Sequence, residues 1–140
     1  MAMHNDADFP LYTLSGVVIH GEGNGHTVGM PTANLSIAPG QALPPFGVYA
    51  SRVRVGDREY GGVTNVGLRP TLTEGQTPTV ETLLMDFSGD LYGREMTVTL
   101  CAFLRPTRKM GSLREVEEQV ERDAKAARKI LGLAGESVES

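Results

Sequence analysis

Residues 79–104 read TVETLLMDFSGDLYGREMTVTLCAFL, and this stretch decides the fold. Thr79–Phe87 and Arg94–Leu104 are two runs rich in Val, Thr, Leu and Phe, and the Ser-Gly-Asp that follows the first is a turn signal. Two parallel strands need a crossover of about a dozen residues or more, usually a helix. The six residues between these runs leave no room for one, so the pair must be antiparallel. Upstream the same grammar repeats. GVYASRVRV (47–55) ends at the turn VGDR, EYGGVTNVG (59–67) follows, and YTLSGVVIH (12–20) stands near the start. Short strands at close spacing with no helix between them predict an antiparallel barrel or sandwich.

Downstream the period changes. In SLREVEEQVERDAKAARKIL, residues Leu113, Val116, Val120, Ala124, Ala127 and Leu131 recur every three or four positions, one face of a helix. Ser112 with Glu115 three residues on forms a capping box, Lys125, Arg128 and Lys129 crowd the end, and Gly132 is a natural stop. The expectation is one domain over residues 11–132, a barrel carrying one terminal helix, between a flexible tail at 1–10 and a frayed tail at 133–140.

Composition narrows the partners. Seventeen acidic residues against thirteen basic ones give a net charge of −4, which speaks against a nucleic-acid binder. No opening segment resembles a signal peptide and no apolar stretch is long enough to span a membrane. The expected location is the cytoplasm, and the expected state a monomer. The single cysteine, Cys101, lies in an apolar run and reads as a buried small hydrophobe. Tyr49 and Tyr92 read as core or barrel-rim packing, and Asp123 reads as a solvated helix carboxylate in preference to one that touches a ligand.

GEGNGHTVGMPTANL (21–35) carries four glycines in nine residues. It fits neither the P-loop, which needs Gly-Lys, nor the dinucleotide fingerprint, whose offsets fail. Glycines alone fit an ordinary hairpin connection equally well. Thr32 and Asn34 stand two apart after Pro31, so on an extended segment they share a side. Their oxygens suit Mg²⁺ together with substrate phosphates. They suit a local turn bonded to its own backbone just as well.

The stretch HGEGNGHTVGMPTANL resembles the signature of the riboflavin kinase family. PPFGVYA resembles the family's Gly-Val-Tyr strand, and TNVGLRPT (64–71) its Asn-x-Gly-x-Arg-Pro-Thr stretch. TVETLLMDFSGDLYGREMTV resembles its glutamate strand with the Asp-Leu-Tyr-Gly turn, and LRPTRKMGSLREVEEQVERDAKAAR its Leu-Arg run and closing helix. The five segments occur in order across residues 14–131. The resemblance implies an all-β fold, a six-stranded antiparallel β-barrel of Greek-key type with one C-terminal α-helix. It implies phosphorylation of riboflavin by ATP to give FMN, with riboflavin/FMN and ATP/ADP as the small-molecule partners. The adenylyltransferase half of the bifunctional relatives is expected to be absent.

Roles follow from the same resemblance. Gly21, Gly23, Gly25, His26, Thr27, Gly29 and Pro31, with Thr32 and Asn34, would line the nucleotide site. Thr32 and Asn34 would hold Mg²⁺ or another divalent cation. Glu81 would be the general base on the ribityl 5′-hydroxyl, and Glu81, Arg105 and Met110 would meet the flavin. The chain departs from the family pattern at Leu83, where a histidine is common. It also departs at Asn24 and His26, where basic residues are common, and at Met30 and Met110, where aromatics are common. These departures motivate an alternative, a catalytically weak flavin- or nucleotide-binding protein derived from such a kinase.

Overall fold

The structure, a computed structural model, describes residues 12–19, 26–27, 30–37, 41–71, 75–87, 89–107 and 111–133. The expected N-terminal tail, most of the expected C-terminal tail, Gly21, Gly23, Gly25, Gly29, Asn24 and Met110 lie outside these residues.

Among the described residues seven strands precede one helix: β1 (Tyr12–Ile19), β2 (His26–Thr27), β3 (Met30–Leu35), β4 (Gly47–Val55), β5 (Arg58–Thr71), β6 (Gly75–Leu84), β7 (Glu95–Arg105) and α1 (Leu113–Leu131). Every pairing is antiparallel, as the short connections require. The order runs β1-β7-β4-β5-β6-β3, and β1 pairs again with β3 through Val18↔Leu35 and Ile19↔Asn34. Six strands therefore close into a barrel, and closure removes the free edges that invite aggregation. β2 adds a short hairpin arm on β3. Strands β4, β5 and β6 form a meander, and β7 returns to lie beside β4, the Greek-key order.

Alternation divides the side chains between two cores. Leu14, Val18, Leu35, Tyr49, Val53, Val66, Val80, Leu84, Val98 and Leu100 fill the barrel interior. The polar members of this interior satisfy one another, since Ser51, Thr64 and Thr82 are fully buried and linked hydroxyl to hydroxyl at 2.8 Å across β4, β5 and β6. On the outer surface Val48, Ala50, Val63, Leu83, Met85, Cys101 and Ala102 form a second core, covered by Ala124, Ala127 and Leu131 of α1. Cys101 is buried there as expected, and burial pushes its thiol pKa up.

The helix packs less evenly than its stripe predicts. Its second half docks through Ala124, Ala127 and Leu131, whereas Val116 and Val120 are only half-buried and Leu113 is exposed. The first half of α1 stands over the sheet without filling the space beneath it.

Candidate active site

That space is a cavity of about 360 Å³ between the first half of α1 and the outer face of the barrel. Val48, Val63 and Leu83 supply its apolar strand side, and Val116 and Val120 its helix wall. Thr32, Asn65, Glu81, Arg105, Thr107 and Asp123 supply the polar groups. A cavity with apolar walls and a few convergent polar groups is the usual form of a small-molecule site.

Strand register explains how the polar groups meet. Val80, Leu84 and the buried Thr82 belong to the barrel interior, so Glu81 and Leu83 stand on the outer face of β6. Glu81 is opposite Asn34 of β3 on one side and Asn65 of β5 on the other. Leu83 is opposite Thr32 and Val63 in the same way. Directly opposed side chains have Cβ atoms about 4.5–5.5 Å apart. Half-buried Glu81 thus stands in register between two asparagines, and Thr32, opposite Leu83, lines the same cavity.

Sequence reasoning named Thr32, Asn34, Glu81 and Arg105, and the fold brings them to this one face. Thr32, Glu81 and Arg105 line the cavity itself, whereas Asn34 stands beside it at the register position of Glu81. The backbones of His26 and Thr27 pair with Pro31 and Met30, so the arm they form leads straight into Thr32. Asn65 was missed, although it lies in the quoted TNVGLRPT stretch and alternation places it outside the barrel. Asp123 is a correction. It is no solvated helix carboxylate but a buried one, 5% exposed, bound by the guanidinium of Arg105.

Arg105 owes its position to irregularity. The β4–β7 register slips between Val48 and Tyr49 and again between Ala50 and Ser51. Without the two slips Phe103 would stand opposite Val48; with them Arg105 does. Bulges re-aim side chains in this way beside functional sites.

The donor set also bears on a metal. Among the described residues no group of three or more His, Cys, Asp or Glu could hold an ion. Thr32 and Asn34 offer neutral oxygens, too few and too weakly charged for a site made of protein alone. They fit Mg²⁺ arriving with a nucleotide, because that ion keeps few protein ligands and takes oxygens from phosphates.

The riboflavin kinase family model matches residues 10–131. The chain belongs to the riboflavin kinase family. It is 37% identical over 118 residues to the bifunctional riboflavin kinase/FMN adenylyltransferase of Bacillus subtilis (strain 168), covering 83% of this chain and 37% of the relative. The chain thus spans well under half the length of that curated relative. A solved structure described as a macrolide-efflux protein from Streptococcus pneumoniae matches with TM-score 0.76 and 31% identity, over 85% of this chain and 38% of that one. Riboflavin kinase from Trypanosoma brucei shares the fold at TM-score 0.60 and 21% identity, over 94% of this chain and 83% of that one. Among the described residues no helix is long and apolar enough to cross a membrane.

Proposed function

We propose that the chain phosphorylates riboflavin at the ribityl 5′-hydroxyl, using ATP, to give FMN and ADP. One observation carries the reading: Glu81 lies at an apolar-walled cavity, between Asn34 and Asn65 in register and beside Thr32. Val48, Val63, Val116 and Val120 suit a flat apolar ring system, and the polar row at Glu81 suits the hydroxylated ribityl chain.

In the proposed reaction Glu81 accepts the proton of the 5′-hydroxyl. The freed oxygen forms its bond to the γ-phosphorus as the bond from that phosphorus to the β–γ bridging oxygen breaks, and ADP leaves. Positioning is the larger contribution, worth up to about 7–11 kcal/mol when reacting atoms are held in line. General-base help adds about 10²–10⁴-fold. Thr32 and Asn34 would hold the divalent cation, which when bound neutralises charge on the nucleotide phosphates. The backbone through His26, Thr27 and Pro31, with the glycines before and between them, would cover those phosphates.

A second reading, a flavin or nucleotide binder with little turnover, is favoured by Leu83. Its side chain is buried in the outer core and offers no polar group to orient Glu81. Incubation with riboflavin, ATP and Mg²⁺, followed by chromatographic detection of FMN, separates the two. FMN formation that stops in excess chelator supports the kinase. Riboflavin binding without FMN supports the binder.

A further inference from the structure

The cavity wall contains an ion pair, with Asp123 buried and Arg105 half-buried, that the transfer chemistry does not use. Arg105 closes β7 and Asp123 lies on α1. The Arg105 Nε–H donates to Asp123 Oδ1 at 3.0 Å and Nη2 donates to Oδ2 at 2.8 Å, a forked contact, while Nη1 donates to the Pro106 carbonyl at 3.3 Å. Gln119, one turn earlier on the helix, donates through Nε2 to Asp123 Oδ1 at 3.0 Å. Asp123 is the one fully buried charged residue among the described residues.

As a fastening for the helix this pair is a poor choice. Taking two charges out of water costs about as much as their attraction returns, and well-packed apolar residues hold as well or better. Apolar docking is already supplied by Ala124, Ala127 and Leu131. The pair does achieve something an apolar contact would not, which is to fix a guanidinium at the wall of the cavity in one orientation. A guanidinium has five N–H groups. The contacts above leave one on each terminal nitrogen with no protein acceptor among the described residues.

We infer that Asp123 is a positioning residue for riboflavin: it holds Arg105 so that the two remaining N–H groups are presented to oxygen acceptors of the flavin. The inference rests on the kinase reading and deepens it. The apolar side chains around the pair favour the flavin over the nucleotide as the recipient, since Val48, Val116 and Val120 would gain nothing beside a triphosphate. Lysine in place of Arg105 would lack the fork that makes the orientation unique.

The test uses the double variant Arg105→Met/Asp123→Leu, which removes both charges and leaves no buried ion unpaired. Riboflavin and ATP affinities are titrated separately, and thermal unfolding is followed alongside. The double variant is expected to melt at or above the wild-type temperature. It is also expected to bind riboflavin about tenfold or more weakly, the loss of at least one charge-assisted hydrogen bond, with a smaller change for ATP. Wild-type riboflavin affinity in the double variant overturns the inference and leaves the pair a structural tie. Equal losses for riboflavin and ATP overturn it as well, as a collapse of the whole site. If the double variant does not fold, Asp123→Asn decides. A riboflavin KM that rises more than kcat falls supports positioning, and an unchanged KM overturns it. Wild-type protein that binds no riboflavin overturns the kinase reading itself, and that result precedes every variant.

Discussion

Glutamine at position 81 keeps the shape of the glutamate and its hydrogen-bonding capacity while removing its basicity. For Glu81→Gln we expect FMN formation to slow by about 10²–10⁴-fold, the range for losing general-base help. Riboflavin and ATP binding should change little, because an interaction used mainly in the transition state affects kcat more than ground-state affinity. Steady-state rates with a binding titration check this, and a variant within a few-fold of wild type removes Glu81 as the base. Asp86 poses a separate question of charge. It sits in the left-handed region at φ 62°, just after β6, and accepts from both terminal nitrogens of Arg128 at 2.9 and 3.1 Å. Hydrogen bonding to that guanidinium lowers its carboxyl pKa below the ordinary 3.8. A depressed carboxylate stabilises the fold above its unfolded pKa, and the contribution is lost as pH falls through the lower folded value. Asp86→Asn retains a residue that tolerates positive φ. Its urea midpoint should fall below wild type at pH 7, and the gap should close as pH drops below 3.8. A gap that persists at low pH would mean that shape, not charge, holds the turn.

Among the elements, α1 decides whether a cavity exists. Its start is capped by Ser112, whose Oγ accepts from the Glu115 N–H at 3.2 Å, while Glu115 Oε1 accepts from the Gly111 N–H at 2.6 Å. Its end turns at Gly132, φ 75°, where the Leu133 N–H reaches the Arg128 carbonyl at 2.9 Å. The two halves carry different loads. The second half is fastened by the outer core, whereas the first walls the cavity with Val116 and Val120 and has less beneath it. Ser112→Ala should therefore cost about 1 kcal/mol of stability and fray the half that walls the cavity. Riboflavin affinity should drop more than the modest fall in Tm suggests. Equal affinity in variant and wild type would show that this half is held by something other than its cap.

For the molecule as a whole, closure of the barrel depends on the seam between β1 and β3, which has two register pairs among the described residues. Gly16 lies at that seam, and a Cβ there would come within 2.6 Å of the Ser36 carbonyl oxygen. Two hydrogen bonds cross beside it, one backbone to backbone from Ser36 N–H to the Val17 carbonyl at 2.9 Å and one from Val17 N–H to the Ser36 side-chain Oγ at 3.1 Å. Gly16→Ala must spread the strands, and overpacking of this kind costs about 1–3 kcal/mol. Because Asn34 and Glu81 hang on the same β3 register, nucleotide binding should weaken together with stability. Chemical denaturation and an ATP titration on one preparation check both. Unchanged stability would mean that the seam has slack.

Much of this was legible in the chain. Runs rich in Val, Thr and Phe bounded by turn signals predicted the strands in residues 79–104 and 47–55, short connections forced them antiparallel, and the capping box and Gly132 bounded the helix where the structure has it. Alternation also set Glu81 and Leu83 on one side and Val80 on the other. These are local properties, carried by neighbours within a few residues. The rest depends on pairings between distant segments. Asn65 reaches Glu81 only through the β5–β6 register. Arg105 faces Val48 only because β7 slips twice against β4. Asp123 looks like any exposed helix carboxylate until α1 lies across β7 and Arg105 meets it. The sequence determined which face each residue takes; the tertiary structure alone decided which faces meet, because register and docking minimise energy over contacts that no local window contains.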